Sequence, residues 1–202
     1  MRPSEGKIFE LLRAAGEATA PGSDAPAEIE GIGSAGLKCA AVLVPLLLHD
    51  SEWHVLLTRR TTRVESHKGQ VSFPGGACDP GEETPEETAL REASEELGIR
   101  EADVRVLGRL ASLITVTDYR VTPVVGVLAW PCVFHVQSAE VARVFTMPLE
   151  WLANASNRWE LAVPATGRSV YVFHPYDSEL LWGATAQIAV DLVSTLRLGA
   201  SQ

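Results

Sequence analysis

The chain has 202 residues, of which 46% are hydrophobic and 21% charged, with a formal net charge of −9 and an isoelectric point near 5.0. This composition is typical of one globular domain with a sizeable core, and the scattered arginines argue against an extended nucleic-acid interface. Its apolar runs fall short of the roughly 20 residues that a membrane helix needs. The sequence therefore predicts neither a nucleic-acid partner nor a membrane partner.

The cysteine usage is typical of a reducing compartment. Cys39, Cys78 and Cys132 form no CxxC pair and are odd in number, which predicts neither a disulfide framework nor a cysteine zinc site. Cys78 is expected to be a small residue without a function of its own, with redox sensitivity as the alternative. Charged residues interrupt the apolar positions near the N-terminus, so no signal peptide is expected. Together these observations predict a cytoplasmic protein.

Helical and strand-like segments follow one another along the chain. In order they are an amphipathic helix over residues 4–15, strands over 40–48, 54–59, 104–110, 121–130 and 169–174, and a closing helix over about 185–196. Residues 19–36 are rich in Ala, Gly, Pro and Glu and predict a linker or wrapping loop. We therefore expect an N-terminal helix and linker over 1–36 and a folded domain over 37–198. Pro45 predicts that the first strand is irregular or near an edge.

The strongest local signal is a helix from Pro85 to Leu97. Thr84 is a capping residue, proline occupies the first helical position, and Glu87 lies three residues after the cap. Gly98 is a natural stop. Strands on both sides of this helix, together with the closing helix, predict an α/β sandwich.

Three glutamates share one face of this helix. Glu92, Glu95 and Glu96 are three and four residues apart, a spacing at which like charges repel by about 0.2–0.5 kcal/mol per pair. A divalent cation would replace this repulsion with coordination, and carboxylate oxygens suit Mg²⁺ or Mn²⁺. The glycines of the preceding Phe73-Pro74-Gly75-Gly76 would let the backbone approach a metal or phosphate. Taken alone, three such glutamates are more often a solvated helix face.

A longer pattern favours the metal site. Gly76, a glutamate at 82 or 83, and then Arg91-Glu92-Ala93-Ser94-Glu95-Glu96-Leu97-Gly98-Ile99 closely resemble the Nudix box. The loop from Asp79 to Glu83 holds one residue more than the common spacing, which leaves Glu82 and Glu83 as alternatives for the loop glutamate. The resemblance implies a Nudix-type α/β/α sandwich with a mixed β-sheet and metal-dependent hydrolysis of a diphosphate.

The same resemblance assigns roles to individual residues. The implied metal ligands are the carboxylates of Glu92, Glu95 and Glu96 and the backbone carbonyl of Gly75. Arg91 would orient these glutamates by ion pairing. Water would attack one phosphorus while the metals neutralise the developing charge. Glu92 is then either a ligand or the general base, and Glu140 on a later loop is either the alternative base or an ordinary exposed carboxylate.

Other segments resemble the coenzyme A pyrophosphatase branch of the Nudix hydrolases. They are Leu56-Leu57-Thr58-Arg59-Arg60, residues 67–76, 122–126, 140–149 and 181–186, so the resemblance spans about 37–196. It implies cleavage of coenzyme A or acyl-coenzyme A to 3′,5′-ADP and (acyl-)4′-phosphopantetheine. Candidate donors to the substrate phosphates are Arg59, Arg60, Arg63, His67, Lys68 and Gln70. His67 has a structural alternative, in which it fixes the loop by hydrogen bonding.

Two positions depart from this signature. Thr61 stands where the branch has serine or alanine, and Glu65 stands where it has arginine. Because an anion repels phosphate, Glu65 keeps open a Nudix hydrolase of ADP-ribose or other nucleoside diphosphate derivatives. A non-catalytic Nudix-like binding module is a third hypothesis. The oligomeric state stays open, with a homodimer among the alternatives.

Overall fold

The computed structural model describes residues 3–18, 36–62, 69–163 and 168–198. The helices are α1 (Glu5–Ala18), α2 (Pro85–Leu97), α3 (Leu149–Ala153) and α4 (Gly183–Thr195). The strands are β1 (Lys38–His49), β2 (Glu52–Arg60), β3 (Val71–Ser72), β4 (Gly75–Ala77), β5 (Val104–Arg109), β6 (Leu113–Ile114), β7 (Tyr119–Leu128), β8 (Val141–Pro148), β9 (Arg158–Val163) and β10 (Arg168–Phe173). The predicted linker lies, apart from Gly36, outside the described residues.

Eight of these strands form one mixed sheet. Its main path runs β3-β2-β1-β7-β5, with β4 beside β1, β6 beside β7 and β8 beside β2. The β1–β7 pair is parallel and the other pairs are antiparallel. One hydrophobic core lies between the sheet and α2, and a larger one lies on the opposite face with α1, α3 and α4. This arrangement is the predicted α/β/α sandwich with a mixed sheet.

The first helix contributes to the larger core. Ser4 accepts a hydrogen bond from the backbone N–H of Lys7 and so caps α1, as the polar residue before an amphipathic segment favours. Ile8 and Leu12 are fully buried. They belong to the same cluster as α4, although the proposed domain boundary at residue 37 stays a prediction.

Pro45 lies on a central strand, so an edge position was wrong, whereas the predicted irregularity is confirmed because β1 changes its antiparallel partner there. The antiparallel side of β1 pairs with β4 through Ala40–Val42 and with β2 from Leu46 onward. The N–H of Leu43 donates to Pro74 on that side, and strand alternation directs the nitrogen of Pro45 the same way. Proline has no N–H, and at Pro45 that position faces the gap between β4 and β2. No hydrogen bond between strands is therefore lost there.

The alternation of β2 decides which side chains reach each core. Leu56 packs in the cluster with α2, whereas Leu57 packs in the cluster with α4. Arg60, four residues after Leu56, and Arg59, two residues after Leu57, continue these two series and occupy opposite faces of the sheet. Only Arg60 lies on the face that carries α2.

Candidate active site

Local sequence builds α2 as predicted. The hydroxyl of Thr84 accepts a hydrogen bond from the N–H of Glu87, and the carboxylate of Glu87 accepts one from the N–H of Thr84. Gly98 ends the helix in the left-handed region at φ 68°. Capping groups at both ends fix the helix, and with it the direction of every side chain on its faces.

The sheet-facing side of α2 brings the glutamates to different depths. Ala89, Ala93 and Leu97 are fully buried against the sheet. The side chain of Glu96 is 4% exposed, that of Glu92 17% and that of Glu95 60%. The three carboxylates therefore run from the sheet surface outward to solvent.

Glycines in β4 allow α2 to approach the sheet. A Cβ atom at Gly75 would clash with the backbone of Ala41 and Val42, and one at Gly76 would clash with the Glu92 carboxylate. Gly75 needs glycine because backbone leaves no room for a side chain, whereas a side chain at Gly76 would displace the Glu92 carboxylate. The backbone N–H of Gly75 also lies near Glu96.

Arg91 links the loop to the glutamate face. Its Nε donates to Glu82 at 2.7 Å, and its Nη1 donates to Glu92 at 2.9 Å and to Glu95 at 3.1 Å. Its Nη2 donates to the carbonyl of Ala77 at 3.0 Å. One guanidinium thus holds two glutamates of the helix and both ends of the loop.

The geometry selects Glu82 between the two loop glutamates. Its carboxylate also accepts hydrogen bonds from the Thr88 hydroxyl and the Asp79 backbone, each at 2.7 Å. These bonds, led by the one from Arg91, lower the pKa of Glu82 to about 2. Thr88 is fully buried and was not identified from the sequence. Its position six residues after Glu82 carries no recognisable signal before the loop is folded.

Glu96 is a buried acid with incomplete hydrogen bonding. Desolvation raises its pKa to about 7, aided by the charges of Glu92 and Glu140, whereas the Arg60 charge acts in the opposite direction. The Nη1 of Arg60 lies 3.3 Å from its Oε1. Its Oε2 is buried, and no partner for it occurs among the described residues. Burial likewise raises the pKa of Glu92.

This donor set fits a hard divalent cation. Among the described ranges, no three carboxylate, imidazole or thiol groups are already arranged to hold a metal ion. Arg60 pairs with Glu96, and Arg91 pairs with Glu92. The unpaired oxygen of Glu96, however, is a buried acceptor that a cation would satisfy. A bound cation would also offset the mutual repulsion of Glu92 and Glu96.

Glu140 comes to this face from the turn before β8. Its carboxylate lies 3.6 Å from the Nη2 of Arg60, and its side chain is 48% exposed. Thr61 holds the turn in place: its N–H donates to the Glu140 carbonyl at 2.7 Å and its hydroxyl to the Ala139 carbonyl at 2.8 Å. From the sequence, Thr61 was identified only as a departure from the coenzyme A signature. In the structure its hydroxyl helps to position the turn that carries Glu140.

Arg59 and Gln70 are the other candidate donors that the structure describes. Arg59 lies on the opposite face, where its Nη1 is 3.2 Å from Glu179. The backbone carbonyl of Gln70 accepts a hydrogen bond from the N–H of Arg60 at 2.9 Å. Arg63, His67 and Lys68 lie outside the described residues. Substrate contacts for all of them stay predictions.

The prediction that the cysteines form no disulfide was wrong for one pair. Cys39 of β1 and Cys78, which follows β4, form a disulfide with their Cα atoms 5.3 Å apart. The two residues are 39 positions apart, and the pairing of β1 with β4 brings them together. Cys132 is a free thiol.

A comparison with known protein families shows to which family the chain belongs. Residues 37–162 match the model of the NUDIX domain, which is more than half of the chain. The chain belongs to the Nudix family.

Curated relatives agree with this assignment. Proteins named uncharacterized Nudix hydrolase NudL are 41% identical over 160 residues in Photorhabdus laumondii and 42% identical over 150 residues in Pectobacterium atrosepticum. The first alignment covers 79% of this chain and 85% of the relative, and the second covers 74% and 78%. The protein is therefore a Nudix hydrolase, an enzyme that hydrolyses diphosphate bonds.

A solved structure supports the fold. A MutT/nudix family protein from Enterococcus faecalis superposes with a TM-score of 0.53 at 14% identity, covering 98% of this chain and 76% of that one. Nudix hydrolases generally use divalent metals such as Mg²⁺ or Mn²⁺, in line with the acidic face of α2. In the part of the chain that is described, no helix combines the length and apolar character needed to cross a membrane.

Proposed function

We propose that this Nudix hydrolase cleaves the diphosphate linkage of coenzyme A or acyl-coenzyme A, giving 3′,5′-ADP and (acyl-)4′-phosphopantetheine. The observation that carries the proposal is the position of Arg60. This residue belongs to Leu56–Arg60, the segment that resembles the coenzyme A branch, and its guanidinium contacts both Glu96 and Glu140. A branch-specific segment thus supplies a cation beside the acidic face of the Nudix helix.

The metal centre would use the oxygens of α2 and β4. We assign the metal ligands to Glu92, Glu95, Glu96 and the backbone carbonyl of Gly75. Bound Mg²⁺ or Mn²⁺ would neutralise charge on the phosphate oxygens and lower the pKa of coordinated water. Arg91 would keep the glutamates oriented through the hydrogen bonds that it already makes to Glu92 and Glu95.

Glu140 is our candidate for the general base. Its carboxylate is half-exposed and lies at the rim of the face, whereas Glu92 packs against Gly76 and accepts a hydrogen bond from Arg91. Arg60 and Thr61 hold Glu140 in place, so its carboxylate would accept a proton from the attacking water. Arg60 would then donate hydrogen bonds to a phosphate oxygen. If Glu140 is the base, Glu140→Gln lowers kcat and leaves Mn²⁺ affinity unchanged.

ADP-ribose or another nucleoside diphosphate derivative is the second candidate substrate class. The observation that favours it is Glu65, an anion where the coenzyme A signature has arginine. Coenzyme A differs from these compounds in its 3′-phosphate, which an anion nearby would repel. A Glu65→Arg variant should then gain activity on coenzyme A relative to ADP-ribose.

A substrate panel tests the proposal. Purified protein with Mg²⁺ or Mn²⁺ is incubated with coenzyme A, acetyl-coenzyme A, dephospho-coenzyme A and ADP-ribose, and the products are separated by chromatography. We expect 3′,5′-ADP from the first two, and slower cleavage of dephospho-coenzyme A because it lacks the 3′-phosphate. The Glu96→Gln variant controls for contaminating hydrolases. Cleavage of ADP-ribose with coenzyme A untouched would reject the proposal.

A further inference from the structure

The disulfide between Cys39 and Cys78 ties the Nudix loop to the central strand. Ala40 of β1 faces Ala77 of β4 in the sheet, and the disulfide lies one residue beyond that pair. The N–H of Cys78 also donates to the carbonyl of Cys39 at 3.1 Å. The covalent bond therefore sits where β4 ends and the loop begins.

The residues on either side of Cys78 contact the network that orients the glutamates. The carbonyl of Ala77 accepts a hydrogen bond from Arg91 at 3.0 Å, and the N–H of Asp79 donates to Glu82 at 2.7 Å. Arg91 in turn donates to Glu92 at 2.9 Å. Greater conformational freedom at Cys78 would therefore affect Glu92 through two hydrogen bonds, the one that Arg91 donates to Ala77 and the one that Arg91 donates to Glu92.

The disulfide is accessible from solution. Cys39 is exposed and Cys78 is half-buried. Exposed disulfides are more readily reduced than buried ones, and they are the labile and regulatory ones. Cys132 is half-buried, and burial raises the pKa of its thiol, so it is a poor competitor for exchange.

We propose that Cys39–Cys78 is a reversible thiol–disulfide switch that sets the order of the Nudix loop and thereby the metal affinity of the site. A dithiol is the reductant: one of its sulfurs attacks a protein sulfur and forms a mixed disulfide, and its second sulfur resolves it. The dithiol gives up two electrons and two protons and becomes a cyclic disulfide. The Cys39–Cys78 bond breaks, and each cysteine leaves as a thiol.

The oxidised form is the ordered and active one. Reduction leaves the hydrogen bonds of β4 in place but removes their covalent support, so the loop samples more conformations. We expect reduction to weaken Mn²⁺ binding by about fivefold, the lower range of coupling between sites, and to lower the hydrolysis rate in parallel. The effect on rate rests on the proposed function, whereas the effect on loop order does not.

The test compares oxidised and dithiothreitol-reduced protein by three measurements. Mass spectrometry after denaturation and alkylation should show one free cysteine in the oxidised protein and three in the reduced protein. Hydrogen exchange over residues 75–84 should speed up on reduction, and calorimetry with Mn²⁺ alone should show the loss of affinity. Hydrolysis of coenzyme A is measured separately, so that a wrong substrate leaves the first three readings intact.

Matched variants complete the design. The double variant Cys39→Ser, Cys78→Ser should resemble the reduced protein and ignore dithiothreitol, whereas Cys132→Ser should respond as the wild type does. Three alkylated cysteines in protein equilibrated with an oxidant would overturn the proposal. So would unchanged exchange over residues 75–84 on reduction, or a response to dithiothreitol in the double variant as large as that of the wild type.

Discussion

Two glutamates of the described chain, Glu96 and Glu179, are each only 3% exposed, and they lie on opposite faces of the same sheet. Glu179 is 3.2 Å from Arg59 and 2.9 Å from Arg143, which also donates to the Asp177 carbonyl at 3.0 Å. Two arginines compensate this buried carboxylate, as a structural ion pair requires.

Glu96 has one arginine, at 3.3 Å, and a buried oxygen for which the described residues provide no partner. The Nε of Arg60 is also buried, and no partner for it occurs among the residues that the structure describes. Buried groups of this kind are rare, because each costs free energy, and a bound ion or an ordered water is the usual partner that satisfies them. Burial alone thus does not distinguish the two glutamates, but the completeness of their hydrogen bonding does.

The largest expected effect is on catalysis, from Glu96→Gln. This change removes a metal-binding carboxylate, so we expect a loss of about 10³-fold in kcat, as for the loss of a central electrostatic group. Stability should stay the same or rise slightly, because burial already disfavours the charged form of Glu96. Steady-state hydrolysis and thermal melting measure the two quantities. A variant with wild-type turnover would remove Glu96 from the active site.

Glu179→Gln should show the reverse pattern. The change weakens charge-assisted hydrogen bonds to Arg59 and Arg143, at a cost of about 2 kcal/mol. For a chain of this size such a loss lowers the melting temperature by about 4–8 °C. The hydrolysis rate below the transition should stay within about threefold of wild type. A loss of turnover with unchanged melting would contradict the comparison.

Neighbouring arginines of β2 give a matched pair of variants. Arg60→Gln removes the cation beside Glu96 and Glu140, and we expect kcat/KM to fall by about 10-fold to 100-fold, as for the loss of a charge-assisted hydrogen bond to substrate. Arg59→Gln, on the other face, should affect stability and leave kcat/KM within about threefold. Equal losses of kcat/KM in both variants would mean that the substrate also reaches the face of Arg59.

A feature could be predicted from the sequence where the residues that cause it are close together along the chain. The bounds of α2 followed from Thr84, Pro85 and Gly98, since a capping box and a glycine stop act within one or two turns. The strands β1, β2, β5, β7 and β10 followed from their apolar runs, whereas β8 and β9 were not predicted although they are eight and six residues long. The short strands β3, β4 and β6 did not, because two or three residues carry no readable alternation.

Long-range contacts explain what the sequence did not predict. Pro45 is central only because β1 changes partner there. The choice of Glu82 depends on Thr88 and Arg91 meeting across a folded loop. The Cys39–Cys78 pair depends on the register of β1 with β4, which spacing along the chain does not encode.

The smallest expected effect is a pH dependence of stability that arises from Asp191 on α4. Burial raises the pKa of Asp191 above its ordinary value of 3.8, and the carboxylate accepts one hydrogen bond, from Gln187. The unfolded chain therefore loses this proton at a lower pH than the folded chain does. Stability falls as the pH rises from 3.8 through the folded pKa, and the loss persists at neutral pH.

Asp191→Asn removes this loss. We expect the variant to melt about 1–3 °C above wild type at pH 7, and the difference to disappear near pH 3, where the aspartate is protonated in both states. Thermal melts between pH 3 and pH 7 measure it, with unchanged turnover as the control. A variant that is less stable at pH 7 would show that the Asp191 charge is stabilising.

Calorimetric titration of Mn²⁺ into wild type, Glu96→Gln and Glu179→Gln tests the central claim most directly, because it needs no substrate. The α2 face should bind the metal in wild type and in Glu179→Gln with the same affinity, and Glu96→Gln should bind it at least about 10-fold more weakly. Equal affinity in wild type and Glu96→Gln would contradict the assignment of the metal site to this face.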